Sequence, residues 1–485
     1  MATQEGPKPD TKSEGYKKQE TNWMYVEAIS GGELSVKDAG TLLLPKLTGQ
    51  TPEEYKAYKG RGAFYNIFSR TILGYIGLIL KKEPKVVQES SQLKKLLTTL
   101  TLQKESFREV IRLVVQKLLE KGYLGILVDM PPANDSENTA TRDPYLSLYN
   151  ADSILNFRQD EDGNLTMLCL SESISRIDPE NEFGTINIDQ VRVLKIESVP
   201  SEVEGGEGYN QLVVYIYEKI EDARKVKWVL RETIFPSIMG KPMGYIPFVF
   251  FGTKSNSPIP DNPPLMDLIF LNIKHWQVTV DYYHALHYCA IPTPWAAGFK
   301  SGSKLAIGGQ KAWVSDDSQA SCGYLEFSGQ GVASIETALA RLETQMAIMG
   351  ARILLEEQKQ AAETAETWKI RSTGDSASLS IIVNNVEEGM EKVFGFMELW
   401  MGKESSEAKA ELNKEFVSQK LSAQEVVALV QAWQQNGISM DTLLYNLKVG
   451  EVLPPDREIE DEKKLIRIEI DRSFENFPVG EGGGF

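Results

Sequence analysis

The sequence predicts an α+β protein, mostly helical, from three observations. From Tyr145 to Phe251 apolar residues recur with a period of two, while on either side they recur at helical spacing. Between Pro264 and Gly350 two helix-like segments bracket a short insertion rich in Gly, Pro and β-forming residues. That stretch reads as a long hairpin with a small head.

The elements follow in order. Met1 to Thr21 is polar, without an apolar run, so it is neither a signal peptide nor a membrane anchor and is expected to be disordered. Trp23 to Leu47 and Pro52 to Leu80 carry helical patterning, with breaks expected at Gly60 and Gly62 and a stop at Pro84. Ser106 to Lys121 predicts a helix capped by Ser106 with Glu109 at the capping-box position, burying Val110, Leu113, Val114 and Leu118. Gly122 to Val128 turns strand-like. An antiparallel sheet domain follows, with strands at Tyr145 to Tyr149, Leu165 to Leu170, Val191 to Val199, Leu212 to Tyr217 and Val226 to Leu230. Its turns are expected at Asp162-Gly163-Asn164 and Gly205-Gly206.

The first arm of the hairpin begins after Pro263-Pro264 and runs through Tyr288, stopping before Pro292 and Pro294. Asp267, Lys274, Gln277, Asp281 and His284 follow spacings of seven, three, four and three, which places them on one expected wet stripe of an otherwise apolar helix. The second arm starts at Ser334 and sets Ile335, Leu339, Leu342, Met346, Met349 and Ile353 in a regular seam. An arm of about 22 residues is roughly 33 Å long, so the two arms must pair, and a first arm that is apolar almost all round wants further neighbours, which copies of itself would supply.

In the insertion, short strands are expected at Thr293 to Phe299, Lys304 to Ile307, Lys311 to Ser315 and Gly323 to Phe327, with Trp295, Phe299, Trp313, Tyr324 and Phe327 forming most of a small core. A helical run from about Glu363 to Met401 should bend or break at Gly374. Near the end, Ser422 to Gln435 and Ser439 to Leu447 read as short helices separated by Asn436-Gly437. A charged helix at Glu458 to Asp471 follows, then a flexible tail.

Composition narrows the function. At 485 residues and 42% hydrophobic the chain can bury sizeable cores in two or more structural units. Its three cysteines, Cys169, Cys289 and Cys322, show no paired spacing, so a disulfide framework is not expected. No stretch of 18 or more consecutive apolar residues occurs, and no membrane partner is expected. The net charge of -16 disfavours a clamp on nucleic acid, which needs clustered Lys and Arg; it is permissive for a conduit with an acidic wall and fits an ordinary acidic soluble protein equally well.

No nucleotide-binding Gly-x-x-x-x-Gly-Lys-Ser/Thr loop and no His-Glu-x-x-His motif is present. All three histidines, His275, His284 and His287, lie in the first arm. His284 and His287 are neighbours with Asp281 near, while His275 lies on the opposite face. They read as structural or polar-stripe histidines, with no cofactor and no metal expected. The enzymatic alternative is a metal-dependent hydrolase using Asp281, His284 and His287.

The chain resembles the portal proteins of tailed bacteriophages, in the branch catalogued as a phage domain of unknown function. Tyr65-Asn66-Ile67-Phe68-Ser69-Arg70-Thr71 with Gly74, Gly77 and Lys82-Glu83-Pro84 carries the resemblance, as do Tyr245-Ile246-Pro247-Phe248-Val249-Phe250, Asp281-Tyr282-Tyr283-His284, Ile291-Pro292-Thr293-Pro294 and Gly298. Met349-Gly350-Ala351-Arg352 with Glu363-Thr364-Ala365, and Gly437-Ile438-Ser439, complete it in family order.

The resemblance implies a portal fold with wing, long-helix stem, small β-containing clip and helical crown. Its expected parts are an N-terminus (1–21), wing (22–262), first stem helix (263–289), clip (290–333), second stem helix (334–350), tunnel-loop region (351–362), long helix and wing return (363–420), crown (421–472) and tail (473–485). Glu356, Glu357, Gln358, Lys359 and Gln360 would sit in the tunnel loop and touch DNA. Trp295, Lys300, Lys304, Lys311 and Trp313 would meet partners at the clip.

The function implied is a non-enzymatic ring subunit, dodecameric by family, at one capsid vertex of a virion assembled in the bacterial cytoplasm. It would pass double-stranded DNA without sequence specificity in packaging and ejection. Its partners would be copies of itself, the terminase large subunit, a head-tail adaptor, and the major capsid and scaffolding proteins. Another ring-forming connector of the tail is the structural alternative.

Overall fold

The computed structural model describes residues 7–131, 143–200, 208–222, 225–290, 293–299, 305, 312–325, 330–350, 365–416, 421, 423–450, 452–454 and 457–475. It is a mixture of helix and sheet, 45% helical and 25% strand, in keeping with the α+β expectation. The chain divides into two compact units. One is Met1–Leu355 with Ala377–Lys414, and the other is Glu356–Ser376 with Glu415–Phe485.

The first unit opens with α1 (Glu14–Ser30), α2 (Gly32–Asp38), α3 (Pro52–Arg61), α4 (Ile67–Ile79), β1 (Lys85–Val87), α5 (Ser91–Leu96) and α6 (Phe107–Lys121). The start of α1 corrects the expectation of disorder through Thr21. The Ser13 hydroxyl accepts from the Tyr16 N–H at 3.1 Å, Tyr16 and Gln19 are buried, and the Tyr16 ring meets Trp23 edge-on at 5.1 Å. A polar sequence stays ordered here because Tyr16 and Gln19 are buried along with the Trp23 and Val26 that follow on α1. The two long helical stretches expected between Trp23 and Leu80 are each split, the second around an extended segment at 62–66. Thr51 and Glu54 form a capping box on α3, and Asn66 caps α4.

Helix α6 carries the expected box of Ser106 and Glu109, but it buries more than one stripe. Ile111, Val115 and Leu119 are inside together with Val110, Val114 and Leu118, while Leu113 is only half-buried. Gly122 ends the helix at φ 76°, where a Cβ would lie 2.8 Å from the Asn262 carbonyl oxygen.

The strands are β2 (Tyr123–Asp129), β3 (Tyr145–Asn150), β4 (Ile154–Gln159), β5 (Leu165–Asp178), β6 (Asn181–Val199), β7 (Tyr209–Asp222), β8 (Lys225–Ile234), β9 (Ser237–Ile238), β10 (Lys241–Pro242) and β11 (Phe248–Gly252). They form two main sheets rather than one. A three-stranded antiparallel sheet has the order β11-β2-β3, and a five-stranded meander runs β4-β5-β6-β7-β8.

In the smaller sheet β11 is buried throughout and β2 almost so, which matches its unbroken apolar runs. In the larger one β5 and β6 extend past the strands expected to a turn between Asp178 and Asn181, ending in a ribbon with Phe183 exposed. Arg192 on β6 ties the two sheets together. It donates to Glu172 on β5 at 2.8 Å and to Asp129 on β2 at 3.3 Å, while Glu172 also accepts from the Tyr149 hydroxyl and the Gln190 amide, each at 2.5 Å.

The unit is completed by α7 (Met266–Ala290), β12 (Thr293–Ala297), β13 (Ser321–Leu325), α8 (Gln330–Gly350), most of α9 (Ala365–Trp400) and β14 (Lys409–Glu411), which pairs with β1. Helix α9 runs unbroken through Gly374, against the expected bend. Its buried stripe, Val386, Met390, Val393, Phe394 and Met397, is anchored on the small sheet. The Trp400 indole donates to the Val128 carbonyl at 3.1 Å and the Asn385 amide to that of Gly252 at 3.0 Å. At Gly389 a Cβ would overlap the Phe251 ring, so only glycine permits this approach.

In the second unit α10 (Ala423–Gln434) and α11 (Met440–Val449) form a helical hairpin, followed by α12 (Ile459–Glu475). Asn436 takes φ 61°, the Gly437 N–H donates to the Ala432 carbonyl at 2.7 Å, and the Ser439 hydroxyl caps α11. Lys463 on α12 bridges to Asp441 on α11 at 2.6 Å.

Candidate functional site in the paired helices α7 and α8

Helix α7 has 25 residues and spans about 37 Å. Its pairing with α8 is antiparallel and has a seven-residue rhythm. The Tyr282 hydroxyl donates to Glu336 at 2.6 Å, His275 Nε2 lies 3.3 Å from Glu343 Oε1, and a Cβ on Gly350 would lie 3.1 Å from Leu268 Cδ2. Each step of seven back along α7 is a step of seven forward along α8, the register of an antiparallel coiled-coil seam. Helix α8 begins at Gln330, earlier than the Ser334 expected. Of its predicted seam Met346 is buried, Ile335, Leu339 and Leu342 are half-buried, and Met349 is exposed; Ile353 lies outside the described residues.

Gly350 closes the seam. A Cβ there would overlap the Thr71 hydroxyl of α4, which is buried and fixed by donating to the Ile67 carbonyl at 2.9 Å. Gly350→Val should therefore force α8 off α4 and α7 and cost about 1–3 kcal/mol of stability in denaturant titration. Gly331→Val, whose Cβ would meet nothing nearby, is the control.

The polar stripe of α7 divides. Asp267 and Lys274 are exposed as expected. Asp281 is exposed as well, while Gln277 and His284 are half-buried and correct the picture of a wet face; all three contact the helices and turns before α4. The Gln277 amide donates to the Leu43 carbonyl at 2.6 Å, the Tyr58 hydroxyl donates to Asp281, and Arg61 Nη1 approaches His284 Nδ1 at 3.3 Å. Burial, with the neighbouring Arg61 cation, lowers the His284 pKa, and Asp281 opposes this only in part.

A second polar track on α7, Asn272, His275 and Thr279, is buried, and spacing did not single it out. The Asn272 amide donates to the Tyr65 carbonyl at 2.8 Å, which fixes the extended segment before α4. At Gly62 a Cβ would overlap Val280, so glycine lets that segment lie against α7.

Asp281, His284 and His287 do not converge on a cation site. Asp281 is held by Tyr58 and His284 faces Arg61, and among the described residues no group of three or more His, Cys, Asp or Glu is arranged to hold a metal. No helix among the described residues is long and apolar enough to cross a membrane.

Outside the contacts within the chain, the pair leaves apolar surface open. Phe270, Ile348 and Met349 are 48%, 45% and 42% exposed, and with Asp267, Leu271 and Gln345 they line an open groove of about 520 Å³. Further along α7, Tyr283 and Tyr288 are also exposed.

The head of the hairpin contains the two-stranded sheet β12-β13, with Trp295 opposite Gly323. Trp295 and Tyr324 are 44% and 56% exposed, which corrects their expected place in a small core. Among the described residues no layer covers these two strands, which leaves a face open. Trp313 is half-buried, and residues 312–315 are not a strand. Lys300, Lys304 and Lys311 lie outside the described residues, as do Glu356, Glu357, Gln358, Lys359 and Gln360.

Residues 264–401 match the family described as Domain of unknown function (DUF4055), a span from just before α7 to just past α9. No curated protein matches the chain. Among solved structures it is similar to a chain from the neck of an empty GTA particle computed with C6 symmetry, at 11% identity over 78% of this chain and 87% of that one, TM-score 0.37. It is also similar to one from the virion of a native gene transfer agent (GTA) particle, at 12% identity over 87% and 99%, TM-score 0.37. A third similarity is to a chain from the neck of a native GTA particle computed with C12 symmetry, at 12% identity over 84% and 95%, TM-score 0.37.

Proposed function

We propose that this chain is the subunit of a homo-oligomeric portal ring that passes double-stranded DNA at one vertex of a phage-like capsid. The supporting observation is the α7–α8 pair, two long antiparallel helices flanking a small β module, whose outer apolar residues stay about half-exposed among the described residues. Phe270, Ile348 and Met349 gain burial when identical chains stand side by side around an axis. Heterologous contacts, one face of each chain against a different face of the next, close such a ring. The resemblance in motif order from Tyr65 to Ser439 points to the same reading. The net charge of -16 fits a channel wall that repels phosphate, and with no Gly-x-x-x-x-Gly-Lys-Ser/Thr loop in the sequence the energy to move DNA would come from a separate terminase motor.

In this reading α7 and α8 form the stem and residues 290–333 the clip, where Trp295 and Trp313 with Lys300, Lys304 and Lys311 would meet the motor and a head-tail adaptor. Residues 356–360 would face passing DNA. Purified full-length chain should sediment at many times its 54.3 kDa subunit mass and give ring-shaped top views by electron microscopy. A strictly monomeric chain at micromolar concentration, with no rings even beside capsid protein, would overturn the reading.

A further inference from the structure

We propose that His275 and Glu343 form a proton-operated clasp between α7 and α8, tightening the pair on acidification. His275 is the central polar contact of the seam, one heptad from Leu268 against Gly350 and one from Tyr282 against Glu336. Its side chain is 5% exposed and that of Glu343 is 55% exposed. Glu343 faces it from α8, with Oε1 3.3 Å from Nε2, and Tyr65 faces it from the segment before α4, with ring centroids 6.1 Å apart. From its own helix the Thr279 hydroxyl donates to its backbone carbonyl at 2.8 Å.

A carboxylate only accepts, so in the neutral ring the proton sits on Nε2 and Nδ1 is bare. Nδ1 is buried and has no partner among the described residues. A second proton can therefore enter only at Nδ1. It turns the bond to Glu343 from one with a neutral donor into one between two ions, roughly twice as strong. Burial of the cation opposes this step, and the half-exposed carboxylate beside it is the compensating charge. The extra hold is present while the ring carries both protons and is lost when Nδ1 gives its proton up.

The test is a double-mutant cycle on the full-length chain with His275→Gln, Glu343→Gln and the pair, read as thermal midpoints at pH 8 and pH 5.5. The coupling between the two sites should be about twofold larger at pH 5.5. A coupling that stays constant or shrinks on acidification overturns the clasp. Should His275→Gln fail to fold, Glu343→Lys is compared with Glu343→Gln. The lysine variant should lose more relative to the glutamine variant at pH 5.5 than at pH 8, and equal losses at the two pH values overturn the proposal. None of these readouts requires a ring, so the clasp and the portal reading fail separately.

Discussion

Phe270→Glu combined with Ile348→Glu is expected to give a folded chain that does not assemble into the proposed ring. Both side chains are roughly half-exposed, so the chain's own core gives up little when they change. Phe270 loses an edge contact with Tyr25 at 5.9 Å, a contact of about 0.5–1.5 kcal/mol. At an interface between copies the balance differs. Completing the burial of a Phe and an Ile contributes about 3 kcal/mol, and two carboxylates placed in the groove beside Asp267 add repulsion and desolvation. A loss of about 3 kcal/mol at each contact lowers each association constant roughly a hundredfold, and a closed ring loses it at every junction. Sedimentation should shift from ring to monomer while circular dichroism is unchanged. Rings that survive the double substitution would place the inter-subunit contact elsewhere than this groove.

What the sequence disclosed was local in origin. Ser106 and Glu109 could be read as a capping box because the motif needs only four consecutive residues, and α7 could be placed because prolines flank both of its ends. The features that were missed depend on partners distant in the chain. Asn272, His275 and Thr279 interrupt an apolar helix, and nothing in their spacing reveals that one holds the Tyr65 carbonyl and another faces Glu343.

Periodicity likewise ended β5 near Leu170, because beyond it Ser171, Glu172, Ser173 and Ser175 are polar, although the strand continues to Asp178 by pairing with β6. The division of the strands into two sheets was hidden because β2 and β11 are separated in sequence by the whole five-stranded meander. Gly374 was expected to interrupt α9 on propensity alone, a cost of about 1 kcal/mol that a 36-residue helix with a long buried stripe absorbs.

Arg192→Met should be among the most destabilising single changes outside the helix pair, since one guanidinium compensates two carboxylates on different sheets. Glu172 and Asp129 are 13% and 27% exposed, and with Arg192 gone they face each other without a cation. Breaking a buried pair from one side costs about 3–5 kcal/mol, and the residual exposure of Asp129 places this case near the lower figure.

The acid dependence has a definite sign. Burial already raises the Asp129 pKa, against the pull of Arg192 and the Met130 N–H. A carboxyl whose folded pKa is raised adds stability that is complete below its unfolded value near 4 and is lost as pH rises through the folded one. Removing Arg192 raises it further, so the deficit of Arg192→Met relative to wild type should be largest at pH 7 to 8 and narrow steadily toward pH 4. Adding Asp129→Asn and Glu172→Gln removes both orphaned charges and should recover most of the loss at neutral pH. Urea titration of the three proteins at pH 7 and pH 4.5 decides it. A deficit independent of pH would mean that the methionine fails by packing, and that Arg192 does not hold the two sheets together by charge.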